Sequence, residues 1–273
     1  MDEIEKRVRD ALDADSENIG KFLKDPSDKV ILSLLANRNI NEEHLVVLAK
    51  RRDLAGVILE AVGARKFGPE GYRVKIALVT NPKTPRRMAL SLLRDLRLRD
   101  LGFVTRNKAI PTELRQAGEG IIKEKLPTLS PGIKISLARQ VSEEVLKALL
   151  SEGNPLVVKA CFENTLMNEA VALWAINHKK TPPTTIENIA AHQKWSAYKS
   201  VRFALSRNPL TPIERAIQFV RGMNSFDQRY LYNDPSVPAA VKVQVEIELE
   251  RKGQPLSPPN ESGRIIGLPE EEE

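Results

Sequence analysis

Arginine carries most of the chemistry in this sequence. Between residues 83 and 108 stand Lys83, Arg86, Arg87, Arg94, Arg97, Arg99, Arg106 and Lys108, against only Asp95 and Asp100. The planar guanidinium presents a fork of donors that matches carboxylate or phosphate two oxygens at a time. A segment so rich in it suits an anionic partner, and Arg86, Arg87, Arg94, Arg97, Arg99, Arg106 and Lys108 are the candidate binding residues. If equivalent helices share one face, the cluster extends through Lys134, Arg139, Arg202, Arg207 and Arg215. The plainer reading of the same residues is a solvated helix face with partial pairing.

Catalytic and metal-binding chemistry is thin by comparison. The chain has three histidines, His44, His178 and His192, and one cysteine, Cys161. That leaves no intramolecular disulfide, no thiolate-rich zinc or iron–sulfur site and no histidine-rich metal centre to expect. His44 reads as a surface residue in a first helical turn, and Cys161, on an apolar helix face with Val157 and Val158, as a small buried hydrophobe. Gly118-Glu119-Gly120 lacks both the preceding strand and the following Lys-Ser/Thr of a phosphate loop. Glu143-Glu144, directly after Ser142, suits the positive end of a helix and needs no catalytic explanation. The expectation is a non-enzymatic chain with no catalytic residue, no metal and no cofactor.

Aromatics are few, yet Trp174, Trp195, Tyr198, Phe203, Phe219, Phe226, Tyr230 and Tyr232 gather in the C-terminal third. Core filling accounts for most of them. Trp195 and Tyr198, after the polar His192-Gln193-Lys194, are the candidates for partly exposed partner anchors, since Trp and Tyr dominate interface hot spots.

The elements that must position these residues are helices. Met88, Ala89, Leu92, Leu93 and Leu96 recur at helical spacing, with Arg87 and Arg94 on the opposite side. Ile213, Ala216, Ile217 and Val220 repeat the pattern, as do Val30, Ile31, Leu34 and Leu35, and Val145, Leu146, Leu149 and Leu150. The alternation over residues 241–247 runs into Glu248-Leu249-Glu250-Arg251-Lys252 and is read as helix. Asn81-Pro82-Lys83-Thr84-Pro85 and Asn208-Pro209-Leu210-Thr211-Pro212 share one corner pattern. Asp234-Pro235-Ser236-Val237-Pro238 and Asn107-Lys108-Ala109-Ile110-Pro111 are weaker copies. The first proline stops the preceding helix, threonine is expected as N-cap, and the second proline as the first helical residue. Taking Asn41, Thr84, Ile110, Ser142, Asn168, Thr181, Thr211 and Val237 as cap markers gives successive spacings of 43, 26, 32, 26, 13, 30 and 26 residues. Two short helices and two tight turns need about that length, and such a pair must stack on its neighbours to bury its apolar face.

The expected fold is therefore all-α, an α-solenoid of stacked short helix pairs. The ends differ from the middle: residues 1–20 hold seven acids and three bases, and residues 254–273 hold Glu261 and Glu270 to Glu273 against Arg264. Residues 1–25 are read as an acidic capping helix, 26–253 as the repeat domain, and 254–273 as a proline-rich, acidic, disordered tail. The apolar Ile265-Ile266-Gly267-Leu268 of that tail, followed by its glutamates, could dock on the protein's own basic body. No apolar run approaches the length of a membrane span, and the charged start Met1 to Lys6 lacks a signal-peptide core. A soluble, cytoplasmic protein is the expectation.

The Asn-Pro-x-Thr-Pro corner followed by a leucine-spaced helix resembles the bacterial leucine-rich-repeat-variant and HEAT-like α-solenoids. The resemblance spans about residues 29–253, with full corner matches only at 81–85 and 208–212. It implies a scaffold for protein–protein interaction; the cysteine cluster that some members carry for iron–sulfur binding is missing, so that cofactor is not implied. The expected function is binding of another protein with an acidic surface through an extended basic face. The alternative is nucleic-acid binding, including the form seen in HEAT-like alkylpurine DNA glycosylases, to which this sequence offers no matching Trp and Asp motif.

Overall fold

A computed structural model of the chain describes residues 3–65 and 71–256. Every regular element among them is a helix. In chain order these are α1 (Glu3–Asp13), α2 (Ile19–Phe22), α3 (Asp28–Ala36), α4 (Glu42–Lys50), α5 (Gly56–Ala64), α6 (Tyr72–Thr80), α7 (Arg86–Leu93), α8 (Leu98–Arg106), α9 (Thr112–Lys125) and α10 (Pro131–Ala138). There follow α11 (Glu143–Leu150), α12 (Pro155–Phe162), α13 (Glu169–Asn177), α14 (Pro183–Ala191), α15 (Gln193–Ser196), α16 (Lys199–Arg207), α17 (Ile213–Arg221), α18 (Ser225–Asn233) and α19 (Ala239–Arg251). The chain divides into two compact units: residues 1–149 with 159–167, and residues 150–158 with 168–273.

Within each unit short helices pack on neighbours in chain order, the layering expected of an α-solenoid. In the first, α1 packs on α3, α3 on α5, α4 on α6, α7 on α9 and α8 on α9; in the second, α13 packs on α16, and α17 and α18 on α19. The apolar periodicity supplies the contacts. In α7, Ala89 and Leu93 are buried while Arg87 and Arg94 are exposed. The strand-like alternation over 241–247 resolves into helix as read: Val241, Val245 and Leu249, four apart, are buried, and Val243 and Ile247 are left outside.

The corners are held by their first residue. At Asn37, Asn81, Asn164 and Asn208 the side-chain oxygen accepts the backbone N–H two residues on, at 2.7–2.9 Å, closing a local turn. The amide NH2 of the same residue reaches back to the preceding layer. Asn37 donates to the Ala11 and Ala14 carbonyls, Asn81 to those of Ala49 and Arg51, Asn164 to those of Ala138 and Val141, and Asn208 to that of Ile176. These carbonyls lie at or just beyond helix C-termini, where no intrahelical donor remains. Asparagine carries a carbonyl acceptor and a two-proton NH2 donor on separate atoms of one short side chain, so each corner satisfies itself and ties two layers.

The expected capping role of threonine is corrected. The first bond of α7 runs from the Ala89 N–H to the Pro85 carbonyl, which makes Pro85, not Thr84, the N-cap. The Thr84 hydroxyl instead donates to the Leu78 carbonyl at the end of α6, 2.6 Å away. Pro111, Pro182, Pro212 and Pro238 cap their helices in the same way. The fourth corner position is a buried plug, which explains why Ile110, Met167 and Val237 serve as well as threonine. Asn41 and Asn168 do cap as expected, accepting from the His44 and Val171 N–H groups. His44 is half-buried and returns the bond through Nδ1, a helix-start role and not a free surface position.

Trp195 is also corrected: it is 1% exposed, a core residue of the second unit and no partner anchor. Lys194 lies over its ring, and Tyr198, which stacks on it, keeps the partial exposure expected. Cys161 is fully buried, as read. Of the segment 1–25, the described residues 3–25 form two helices, α1 and α2, where one was expected. Of the tail, residues 257–273 lie outside the described residues.

Candidate basic groove of the first unit

Four of the seven candidate cations come together. Helix α8 carries Arg99, Phe103 and Arg106 at intervals of four and three, so the three share one face. A cleft of about 470 Å³ lies on one side of Phe103, lined by Tyr72, Ile76, Arg97, Arg99, Asp100 and Gln140. A second, of about 520 Å³, lies on the other and is lined by Arg106, Asn107, Lys108 and Gln140. Phe103 stands between them, 50% exposed. The local architecture dictates this arrangement: Leu101, Val104 and Thr105 turn the opposite face of α8 into the core. Gly102 permits the approach of the α10 end, since a Cβ there would sit 3.1 Å from the Gln140 carbonyl oxygen.

The groove's charge is strongly one-sided. Among the described residues Arg99 and Lys108 have no carboxylate within ion-pair reach, and Arg106 bonds only the Thr165 hydroxyl, at 2.9 Å. The lone lining carboxylate, Asp100, accepts a hydrogen bond from the Tyr72 phenol. That phenol also accepts from the Arg97 backbone N–H, and the Arg97 guanidinium lies over the ring, 4.5 Å from its centroid. Burial, then the bond to Asp100, pushes the Tyr72 pKa up. Tyr72 thus holds Asp100 and orients Arg97 at once, and the lining keeps four cations against this one carboxylate.

No protein-family model, curated protein or solved structure matches this chain.

The remaining candidates lie elsewhere. Arg86 pairs with Glu113 of α9, and Arg87 and Arg94, though exposed on α7, line neither cleft. Of the possible extension, Arg139 pairs with Glu163 and Arg207 with Asp234, at 2.7 and 2.6 Å. Five residues of the groove were not among the sequence candidates: Tyr72, Ile76, Phe103, Asn107 and Gln140. Phe103 was recoverable, being the one aromatic flanked at helical spacing by Arg99 and Arg106. Tyr72, Ile76, Asn107 and Gln140 carried no such signal, because the fold alone brings their separate elements to α8.

Asn107 differs from the other corner asparagines. Its oxygen closes the local turn on the Ala109 N–H at 3.0 Å, but its NH2 makes no bond to the preceding layer among the described residues. With Gln140 it puts uncharged amides between the cations, suited to a peptide backbone.

Proposed function

We propose that the chain is a non-enzymatic helical-repeat scaffold whose first-unit groove binds an acidic segment of another protein. One observation carries this reading: an exposed aromatic, Phe103, flanked by Arg99, Arg106 and Lys108, none of them ion-paired among the described residues. An apolar partner side chain seated on Phe103 would supply the anchor, and flanking Glu or Asp the charge complement. Asn107 and Gln140 would bond the partner backbone between those contacts. The likeness to leucine-rich-repeat-variant and HEAT-like solenoids supports a scaffold role in the same sense. Among the described residues no helix is long and apolar enough to cross a membrane.

A nucleic acid is the competing ligand, and a titration separates the two. A labelled Glu-rich peptide with one central Leu, the same peptide with Ser for Leu, and a DNA duplex are titrated at two salt concentrations. The Leu peptide is expected to bind best and to weaken with salt. Arg99→Ala with Arg106→Ala, or Phe103→Ala, should each reduce its affinity about 10-fold or more, while Arg87→Ala with Arg94→Ala leaves it unchanged. Tighter duplex binding, with a steep salt slope equally sensitive to Arg87 and Arg94, would replace this reading with phosphate recognition.

A further inference from the structure

The second unit has a groove of a different kind. It holds about 550 Å³ and is lined along α13, α16 and α18 by Glu169, Leu173, Lys199, Phe203, Ala204, Arg207 and Asp227. Tyr230 packs on Phe203 with ring centroids 5.6 Å apart. Tyr230 and Phe226, one turn apart on α18, are 55% and 77% exposed, and Phe226 is the most exposed large hydrophobic side chain of the described residues. Lys199 and Arg207 on its rim pair with Asp227 and Asp234, at 2.8 and 2.6 Å. Glu169, which accepts from the Ser200 hydroxyl, and Asp227 face Lys199 and Arg207, so the lining charges balance. Exposed aromatic side chains, Phe226 and Tyr230, stand beside this balanced lining.

The chain itself leaves the described structure beside this surface. After α19 the backbone returns to α18, where Arg229 donates to the Gln254 carbonyl at 2.9 Å. Arg229 is next in sequence to Tyr230 and three residues from Phe226. Beyond the described residues the sequence continues through a polar, proline-containing stretch to Ile265-Ile266-Gly267-Leu268, the one apolar cluster it holds, and then to Glu270-Glu271-Glu272-Glu273. The eight residues 257–264 can span up to about 28 Å when extended, against about 13 Å for the whole of α18.

We infer that Ile265–Leu268 of the same chain occupies the α13–α16–α18 groove, with Ile265, Ile266 and Leu268 against Phe203, Phe226 and Tyr230. Three features favour this occupant over a foreign one: the tether at Arg229, a spacer of sufficient reach, and the match of an apolar segment to exposed aromatic side chains. The inference concerns a different groove from the one proposed above and does not depend on it. It makes the second unit self-covering, so that release of residues 257–273 would expose a second docking surface.

Hydrogen exchange followed by mass spectrometry on the full chain tests it. The amides of 265–268 should exchange at least 10-fold more slowly than in a free peptide of residues 257–273. That protection should vanish in Phe226→Ser with Tyr230→Ser, and equally in Ile266→Asp with Leu268→Asp, which alters no described residue. Protection of α16 to α19 serves as the folding control, and the tail variant decides the matter if the groove variant fails it. Free-peptide exchange rates in the unmodified chain would overturn the inference. So would protection that survives the tail variant, or that is lost on dilution, which would assign the groove to a second copy.

Discussion

The two grooves are built from the same parts and differ in how their cations are spent. Each is lined by helices that end at a corner, each has an aromatic in its lining, Phe103 or Phe203, and each carries cations one turn from that aromatic. On α8 of the first unit Arg99 has no carboxylate partner, and Arg106 has only a hydroxyl. On α16 of the second unit Lys199 and Arg207 are each paired with a largely buried aspartate. The corner residue accounts for part of this contrast. Where Asn208 bonds a carbonyl of the layer before it, the next corner has Asp234, which has no NH2 to donate and ties the layers through Arg207 instead. One atom exchanged at a corner turns a carbonyl clasp into an ion pair and withdraws a cation from the surface. At Asn107 neither clasp is made, and the groove beside it keeps its charge.

Substitution at these corners breaks the comparison most directly. Asn81→Asp removes two donors and sets a buried carboxylate against the Ala49 and Arg51 carbonyls. A loss of about 3 kcal/mol in denaturant unfolding is expected, because buried acceptors are left facing a charge. Asn107→Asp, with no cross-layer bond to lose, should shift stability by less than about 0.5 kcal/mol yet weaken the acidic peptide by adding a negative charge to its groove. Equal destabilisation at the two positions would show that Asn107 also clasps its neighbour in solution.

The second test concerns acid. The Ser236 hydroxyl and backbone N–H, with Arg207 beyond them, hold the Asp234 carboxyl below its ordinary range. A depressed pKa contributes stability that is present above the unfolded value and lost as pH falls through the folded one. Thermal unfolding should therefore show Asp234→Asn less stable than the unmodified chain at neutral pH. The gap should close below about pH 4. A gap independent of pH would assign the loss to packing alone.

The smallest effect is expected at Tyr72. Its raised pKa favours the protonated phenol in the folded state. The associated stability is complete below the unfolded tyrosine range and lost as pH rises through the folded value. Tyr72→Phe should flatten the alkaline limb of the stability curve above about pH 10 and weaken peptide binding slightly, by freeing Asp100 to oppose Arg99.

Much of the helical order was legible in the residues. The stripes of α7, α17 and α19 are periodic enough to assign, and Pro82, Pro85, Pro209 and Pro212 mark where helices must end and restart, because proline restricts its predecessor and lacks an N–H. What each corner residue does was not legible. Thr84 and Asn81 are both good local hydrogen-bonders, and choosing between them depends on which carbonyl of the preceding layer comes within 3 Å. Trp195 shows the same limit: a polar neighbourhood in sequence, His192 to Lys194, says nothing of the layer that closes over the indole.

Residue order alone determined that this chain forms short helices, where they stop, and that arginine gathers around residues 83–108, since periodicity, proline sterics and charge are local properties. Only the tertiary structure decided which arginines share a groove, which are cancelled by Glu113, Glu163 or Asp234, and that Phe103 stands uncovered among those that remain. Pairing depends on distances between elements far apart in sequence, and a change of one turn in helix register sends the same guanidinium to a carboxylate or to solvent.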